Sequence, residues 1–249
     1  MLRSMSELKL YTIGATDGEI GHVSDFFFDG RAWVIRYLVV ETGSWLLSRK
    51  VLLSPYALLE ADWLHKRLPV RITREQVKNS PDIDTERPVS RQHEIDYANF
   101  YNYPQYWAGH GLWGNGLYVP SMPIAQTLVN KEDRDDDPNL RSCGAVLGYS
   151  VQATDGEIGH IKGMLVDEDN WAIRYLVVET SSWWMNHQVL VAPNWFTDIS
   201  WEQSTVGVAL TRQAIKDSPR FDSTNELNRQ DEIALHKYYG RPHYWDSER

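Results

Sequence analysis

Through the first sixty residues, apolar positions either alternate with polar ones or run unbroken for four or five residues, and turn-forming residues separate the runs. This is the pattern of short strands. "KLYTIGATDGEIGHVSDFFFD" reads as two β-rich runs around Asp17-Gly18, the dipeptide that adopts a tight hairpin turn at least cost. "AWVIRYLVVET" follows, with Trp33, Ile35, Tyr37 and Val39 on one face and Val34, Arg36, Leu38 and Val40 on the other. Both faces are largely apolar, so this strand is expected to be central. "WLLSRKVLLSP" reads as a strand, a turn near Ser48-Arg49 and another strand stopping before Pro55.

The pattern then changes period. "TREQVKNSP" opens on Thr73 with Gln76 three residues later, a capping-box spacing, and predicts a helix of roughly two turns. A longer helix is expected within "PVSRQHEIDYANFYNY", and its counterpart "ELNRQDEIALHKYYG" ends on Gly240, a typical residue just past a helix end.

That counterpart exists because the chain is one unit written twice. Adding 138 to a residue number aligns Tyr11–Trp107 with Tyr149–Trp245 without a gap, and about two positions in five are identical. The octapeptide "ATDGEIGH" occurs at 15–22 and again at 153–160. Four tryptophan pairs match: Trp33 with Trp171, Trp45 with Trp183, Trp63 with Trp201 and Trp107 with Trp245. Residues that recur at one register answer the same local demand twice, which favours packing roles for these rings, with a docking patch as the alternative for the tails "YNYPQYW" and "YGRPHYW". The expected organisation is a β domain at 1–73, a helical, aromatic tail at 74–107, a Gly/Pro-rich and acidic connector at 108–145, a second β domain at 146–211 and a second tail at 212–249.

At this point the residues carry a resemblance. "DGEIGHVSDFFFD", "WVIRYLVVET" and "KVLLSP", repeated as "DGEIGHIKGMLVD", "WAIRYLVVET" and "QVLVAP", resemble the PRC-barrel domain, named for the cytoplasmic part of the photosynthetic reaction-centre H subunit and related to a barrel in a bacterial ribosome-maturation factor. The resemblance covers about Leu8–Ile72 and Val146–Leu210, and the tails are similar to those of an uncharacterised bacterial subfamily. It implies a mainly β fold of two tandem small barrels, each followed by a short helical tail, acting as a docking module with no established catalytic residues. The membrane helix of the H subunit and the extra domain of the maturation factor have no counterpart here.

Charge narrows the partner. The chain carries a net −9, and the deficit is uneven: thirteen Lys and Arg face fourteen Asp and Glu over 1–107, three face five over 108–147, and nine face fifteen over 148–249. Direct nucleic-acid binding, which needs clustered cations, is not expected. A single cysteine, Cys143, and short apolar runs predict a cytoplasmic protein with no membrane span.

Candidate chemistry is sparse. In the octapeptide, Asp17-Gly18 and Asp155-Gly156 are expected to turn the chain, while a bulge at Gly21-His22, and at Gly159 in the second copy, lets Ile20 and Val23 enter one core. The sharper reading groups Asp17, Glu19 and His22, with Asp155, Glu157 and His160, as metal or acid–base sets. Arg36 and Arg174 lie in apolar strands and need a carboxylate, with Asp29, Glu41 or Glu19 in reach; anionic-ligand recognition is the alternative. Asp133, Asp135 and Asp137 suggest a calcium loop but lack its central Gly and distal Glu. No catalytic motif and no cofactor is expected. The leading reading is a non-enzymatic adaptor whose two repeats form an intramolecular pseudo-dimer and bind a protein partner. Alternatives are a ligand or metal binder, or enzyme, using His187, Asn186, Arg49 or His65 between the barrels, and a photosynthetic or ribosome-associated factor.

Overall fold

The computed structural model describes residues 1–83, 89–108, 111–114, 140–180 and 187–246. In chain order its elements are β1 (Leu2–Ser4), α1 (Met5–Leu8), β2 (Thr12–Ala15), β3 (Gly18–Asp29), β4 (Val34–Thr42), β5 (Lys50–Leu53), β6 (Arg67–Pro69), α2 (Arg74–Lys78), α3 (Arg91–Tyr101), β7 (Leu140–Ser142), α4 (Cys143–Val146), β8 (Ser150–Ala153), β9 (Gly156–Asp167), β10 (Ile173–Thr180), β11 (Gln188–Val191), β12 (Phe196–Ser200), β13 (Thr205–Val208), α5 (Arg212–Lys216) and α6 (Arg229–Tyr239). The fold is mainly β, in two mixed sheets. One sheet is ordered β5-β4-β3-β2-β6 with β7 on β3; the other is β11-β10-β9-β8-β13-β12 with β1 on β9. Neighbours pair antiparallel except β2 with β6 and β8 with β13. Among the described residues no helix is long and apolar enough to cross a membrane.

The chain divides into two compact units, and each borrows a strand from the other repeat. The first-copy unit comprises Ser6–Gly144 and Asn170–Ala172; the second-copy unit comprises Met1–Met5, Ala145–Asp169 and Ile173–Arg249. The tripeptide Leu-Arg-Ser occurs at 2–4 and at 140–142, one repeat apart. The earlier one pairs with β9, Leu2 opposite Asp167, and the later one with β3, Leu140 opposite Asp29. The expected boundaries therefore move: Met1–Met5 leaves the first β domain, and the end of the expected connector becomes strand and helix. The cause is backbone hydrogen bonding, because the free edges of β3 and β9 offer N–H and C=O groups that a short extended segment satisfies.

β4 is central, as its double apolar face requires: Val34 to Val40 are all buried. The octapeptide departs from expectation in detail. Ala15 pairs with Gly18, so the two turn residues are Thr16 and Asp17, one position earlier than Asp17-Gly18, and Gly18 takes the positive φ of 146° at the start of β3. The pairing slips between Glu19 and Gly21, leaving Ile20 as the extra residue, and Ile20 and Val23 are both buried. Gly21 and Gly159 are needed for space: a Cβ there would sit 2.0 Å from the carbonyl oxygens of Glu41 and Glu179.

The stretch after β4 also departs. Ser44–Leu46 forms a single 3₁₀ turn rather than a strand, and Leu47 and Ser48 adopt left-handed backbone, φ 54° and 55°. Leu47 consequently stands in solvent, 94% exposed. The second-copy counterpart lies outside the described residues. The helices follow their caps: Thr73 and Gln76 close the capping box of α2, Thr211 caps α5, Ser90 and Asn228 cap α3 and α6, and α6 ends on Gly240 at φ 61°.

Candidate functional site

In the first-copy unit, the polar groups converge between β4 and the tail that follows α3. Arg36 projects from β4 and is 3% exposed. Its Nη2 donates to Asp29 Oδ2 at 3.2 Å and its Nη1 to the Leu112 carbonyl at 2.6 Å. Asp29 is held ready by the β3–β4 turn, its Oδ1 accepting the backbone N–H of Arg31. The guanidinium lies over two rings, 3.9 Å from the centroid of Tyr106 and 4.9 Å from that of Trp113. A desolvated cation is costly unless paired, and here a carboxylate, a carbonyl and two π faces surround it.

The chain of contacts continues onto α3. Tyr106 Oη donates to Glu94 Oε1 at 2.6 Å, and Arg91, one turn earlier on the helix, donates to Glu94 Oε2 at 2.7 Å. Glu94 is 2% exposed; burial pushes its carboxyl up to about 7, against the pull of Arg91. Arg91 in turn covers Trp107 at 4.3 Å. Helix, tail and strand are thus tied through alternating charge and aromatic ring.

The second-copy unit builds the same constellation at the matching residues. Arg174 bonds Asp167 through Nε and Nη2, at 3.1 and 2.9 Å, under the Tyr244 ring at 4.0 Å. Tyr244 Oη donates to Glu232 Oε1 at 3.0 Å, Arg229 pairs Glu232 Oε2 at 3.1 Å, and Arg229 covers Trp245 at 4.1 Å. This copy is more open: the Arg229 side chain is 56% exposed against 15% for Arg91. A cavity of about 320 Å³ adjoins Asp167, Arg229, Glu232 and Tyr244.

One feature is specific to the second copy. His236, where the first copy has Ala98, is fully buried; its Nε2 lies 2.9 Å from Tyr175 Oη and its Nδ1 2.8 Å from the Pro242 carbonyl. Tyr175 Oη also reaches Glu232 Oε1 at 3.1 Å. The Pro242 carbonyl can only accept, so Nδ1 carries a hydrogen, and the single Tyr175 proton cannot serve both Glu232 and a neutral Nε2. Every contact is satisfied when Glu232 and His236 together hold one proton beyond a carboxylate and a neutral ring. Burial raises the Glu232 carboxyl and lowers the His236 imidazole, which favours neutral acid beside neutral ring.

The candidates from the octapeptide are placed elsewhere. Asp17 Oδ1 and Asp155 Oδ1 accept the backbone N–H of Arg74 and Arg212, at 2.8 and 2.7 Å, satisfying an open donor at the start of α2 and α5. His22 and His160 face Glu41 and Glu179 across the sheet at 4.0 and 3.8 Å, exposed to solvent. Asp17 at the turn and His22 beside β4 are therefore directed to different neighbours, and Glu19 and Glu157 are likewise exposed.

Of the remaining candidates, Trp45 donates from Nε1 to the Ile20 carbonyl at 2.6 Å and lies under Arg74. Trp33 and Trp171 are buried with left-handed backbone, φ 55° and 62°. Arg49 binds Asp82, Lys78 and Ser80; His65 pairs with Asp62; His187 bonds Thr180. Trp183, Asn186, Asp133, Asp135 and Asp137 lie outside the described residues.

Sequence reasoning named Arg36, Arg174 and their Asp partners but missed Glu94, Glu232 and Trp113. The signal for the glutamates was present: an Arg and a Glu three apart on a helix, kept at the same register in both copies. Trp113 lies outside the matched segments and had no such signal. No family model matches the chain, and no curated protein matches it.

Proposed function

We propose that the chain is a non-enzymatic docking protein of two PRC-barrel-like modules, which presents the acidic surface of its second copy to a basic protein partner. The observation that carries this reading is how charge is divided between inside and outside. Arg36, Asp29, Arg91 and Glu94 in the first copy, and Arg174, Asp167, Arg229 and Glu232 in the second, are spent on one another in the constellation. Most carboxylates that the second copy adds stand in solvent: Asp169, Glu202, Asp217, Glu226, Asp231 and Asp246 are all exposed, where the first copy has Arg31, Leu64, Asn79, Pro88, His93 and Ala108, while Glu168, in place of Gly30, pairs with Arg3. A surface of one sign accelerates and selects encounter with a partner of the opposite sign. The resemblance to docking modules supports the same reading. A ribosome-associated role fits it only through a basic ribosomal protein, since carboxylates repel phosphate.

The test is cross-linking of the purified chain in extracts of cells that make it, with the captured proteins identified by mass spectrometry and recovery followed against salt. The reading expects a basic partner, lost when these six carboxylates are replaced by their amides. An acidic partner, or capture insensitive to both salt and neutralisation, removes it.

A further inference from the structure

Beneath α3 in the first copy, Leu52, Val89 and Tyr97 close an apolar layer with Phe27, Tyr37 and Val39, and Ile83, Tyr101 and Tyr103 pack against it. Tyr97 fills its centre: 2% exposed, it donates from Oη to the Leu52 carbonyl and accepts from Ser54 N–H, with its ring 5.1 Å from Tyr37 and 4.8 Å from Tyr101. The second copy keeps the layer but not its filling. Leu235 replaces Tyr97 and Arg241 replaces Tyr103. Trp195, where the first copy has Ala57, packs against His236 and Tyr239, at 5.3 and 4.9 Å. A groove of about 230 Å³, which Trp195, His236 and Tyr239 do not line, is walled by Leu190, Phe221, Leu227 and Leu235.

An apolar groove left open costs stability that covering it would return. Its size and rim select what covers it. At about 230 Å³ it falls below the roughly 300 Å³ at which small-molecule and cofactor pockets begin, and suits one or two side chains. Its rim carries Asp222, Glu226 and Asp231 against Arg220 in the lining and Arg3, whose Nη1 lies 3.7 Å from Glu226 Oε1. Glu226 and Asp231 are among the exposed carboxylates that the first copy lacks.

We infer that this groove seats an apolar side chain of the partner, flanked in the partner's sequence by lysine or arginine that meets Glu226 and Asp231. The inference rests on the docking reading and locates its contact. The groove supplies the buried anchor and the rim supplies orientation and salt dependence.

The probe is a fluorescein-labelled peptide, Lys-Lys-Leu-Phe-Lys-Lys, with Glu-Glu-Leu-Phe-Glu-Glu as its counterpart, titrated by anisotropy against the full chain. Two variants accompany it, with melting temperatures measured on each: Ala234→Trp, which caps the groove from an exposed position, and the double variant Glu226→Gln, Asp231→Asn. The expected result is saturable binding of the basic peptide only, weakened about tenfold or more by either variant. No saturation up to about 1 mM, equal binding of the acidic peptide, or unchanged affinity in folded Ala234→Trp overturns the inference. The docking reading fails separately. A basic partner cross-linked equally by the native chain and by Ala234→Trp keeps docking and discards the groove, whereas a native chain that captures no basic protein removes docking itself.

Discussion

Replacing Glu94 by glutamine removes a carboxyl that burial holds protonated far beyond its ordinary range. The group moves from 4.5 to about 7 on folding, a difference worth about 3 kcal/mol between its two protonation states. The sign follows from proton counting. Between these values the unfolded chain has released the proton that the folded chain keeps, so stability falls as pH rises through that window and the fall is complete above about 7. Glu94→Gln cannot ionise and escapes the fall. Stability from urea unfolding, measured for both proteins from about pH 4.5 to 8, should therefore shift in favour of the variant by about 3 kcal/mol with rising pH. Comparing the two proteins cancels the other titrating groups. A difference that stays constant with pH, or moves the other way, would refute the reasoning and show that the Arg91 ion pair outweighs burial.

His236 has the opposite sign. Its imidazole is lowered below 6.5 by burial, so native stability should fall on acidification below that value, and His236→Ala, the residue of the first copy, should flatten that limb of the pH–stability curve. Gly21→Ala drives a Cβ into the Glu41 carbonyl and should cost about 3 kcal/mol or more, while His22→Ala next to it should stay within about 0.5 kcal/mol, both read from thermal melts. Removing Arg241–Arg249 takes away Tyr244 and Trp245, exposes the Arg174 guanidinium and Glu232, and should lower the melting temperature markedly; an unchanged melt would make the tail a loose appendage.

The repeat was legible because tandem duplication leaves its mark letter by letter, and with it came the strands, the cap on Thr73 and the inward Arg36 and Arg174. The strand exchange was not. Leu-Arg-Ser at 2–4 and 140–142 is visible as a repeat, but three residues carry no information about which sheet edge they join, since backbone pairing is nearly blind to side-chain identity. "WLL" at 45–47 misled because an apolar run reads as a strand whatever its backbone does, and the positive φ at Leu47 leaves no sequence trace. The octapeptide was displaced by one residue because hairpin register depends on the bulge at Ile20 as well as on the Asp-Gly pair. For the constellation, Arg36, Arg174 and their aspartates were argued forward, and the Arg–Glu spacing repeated on α3 and α6 marked the glutamates, but the burial of Glu94 and Glu232 depends on where the tail returns across the sheet.

The most direct test of the claim that the repeated charges lock the tail onto the sheet is a double-mutant cycle of Arg36→Met and Tyr106→Leu, scored by urea unfolding. The guanidinium lies 3.9 Å above the ring, both side chains are buried, and a desolvated contact of this kind is worth about 2 kcal/mol. The account predicts coupling of that order, with the double variant losing less than the sum of the single losses. Losses that add to within about 0.5 kcal/mol would contradict it.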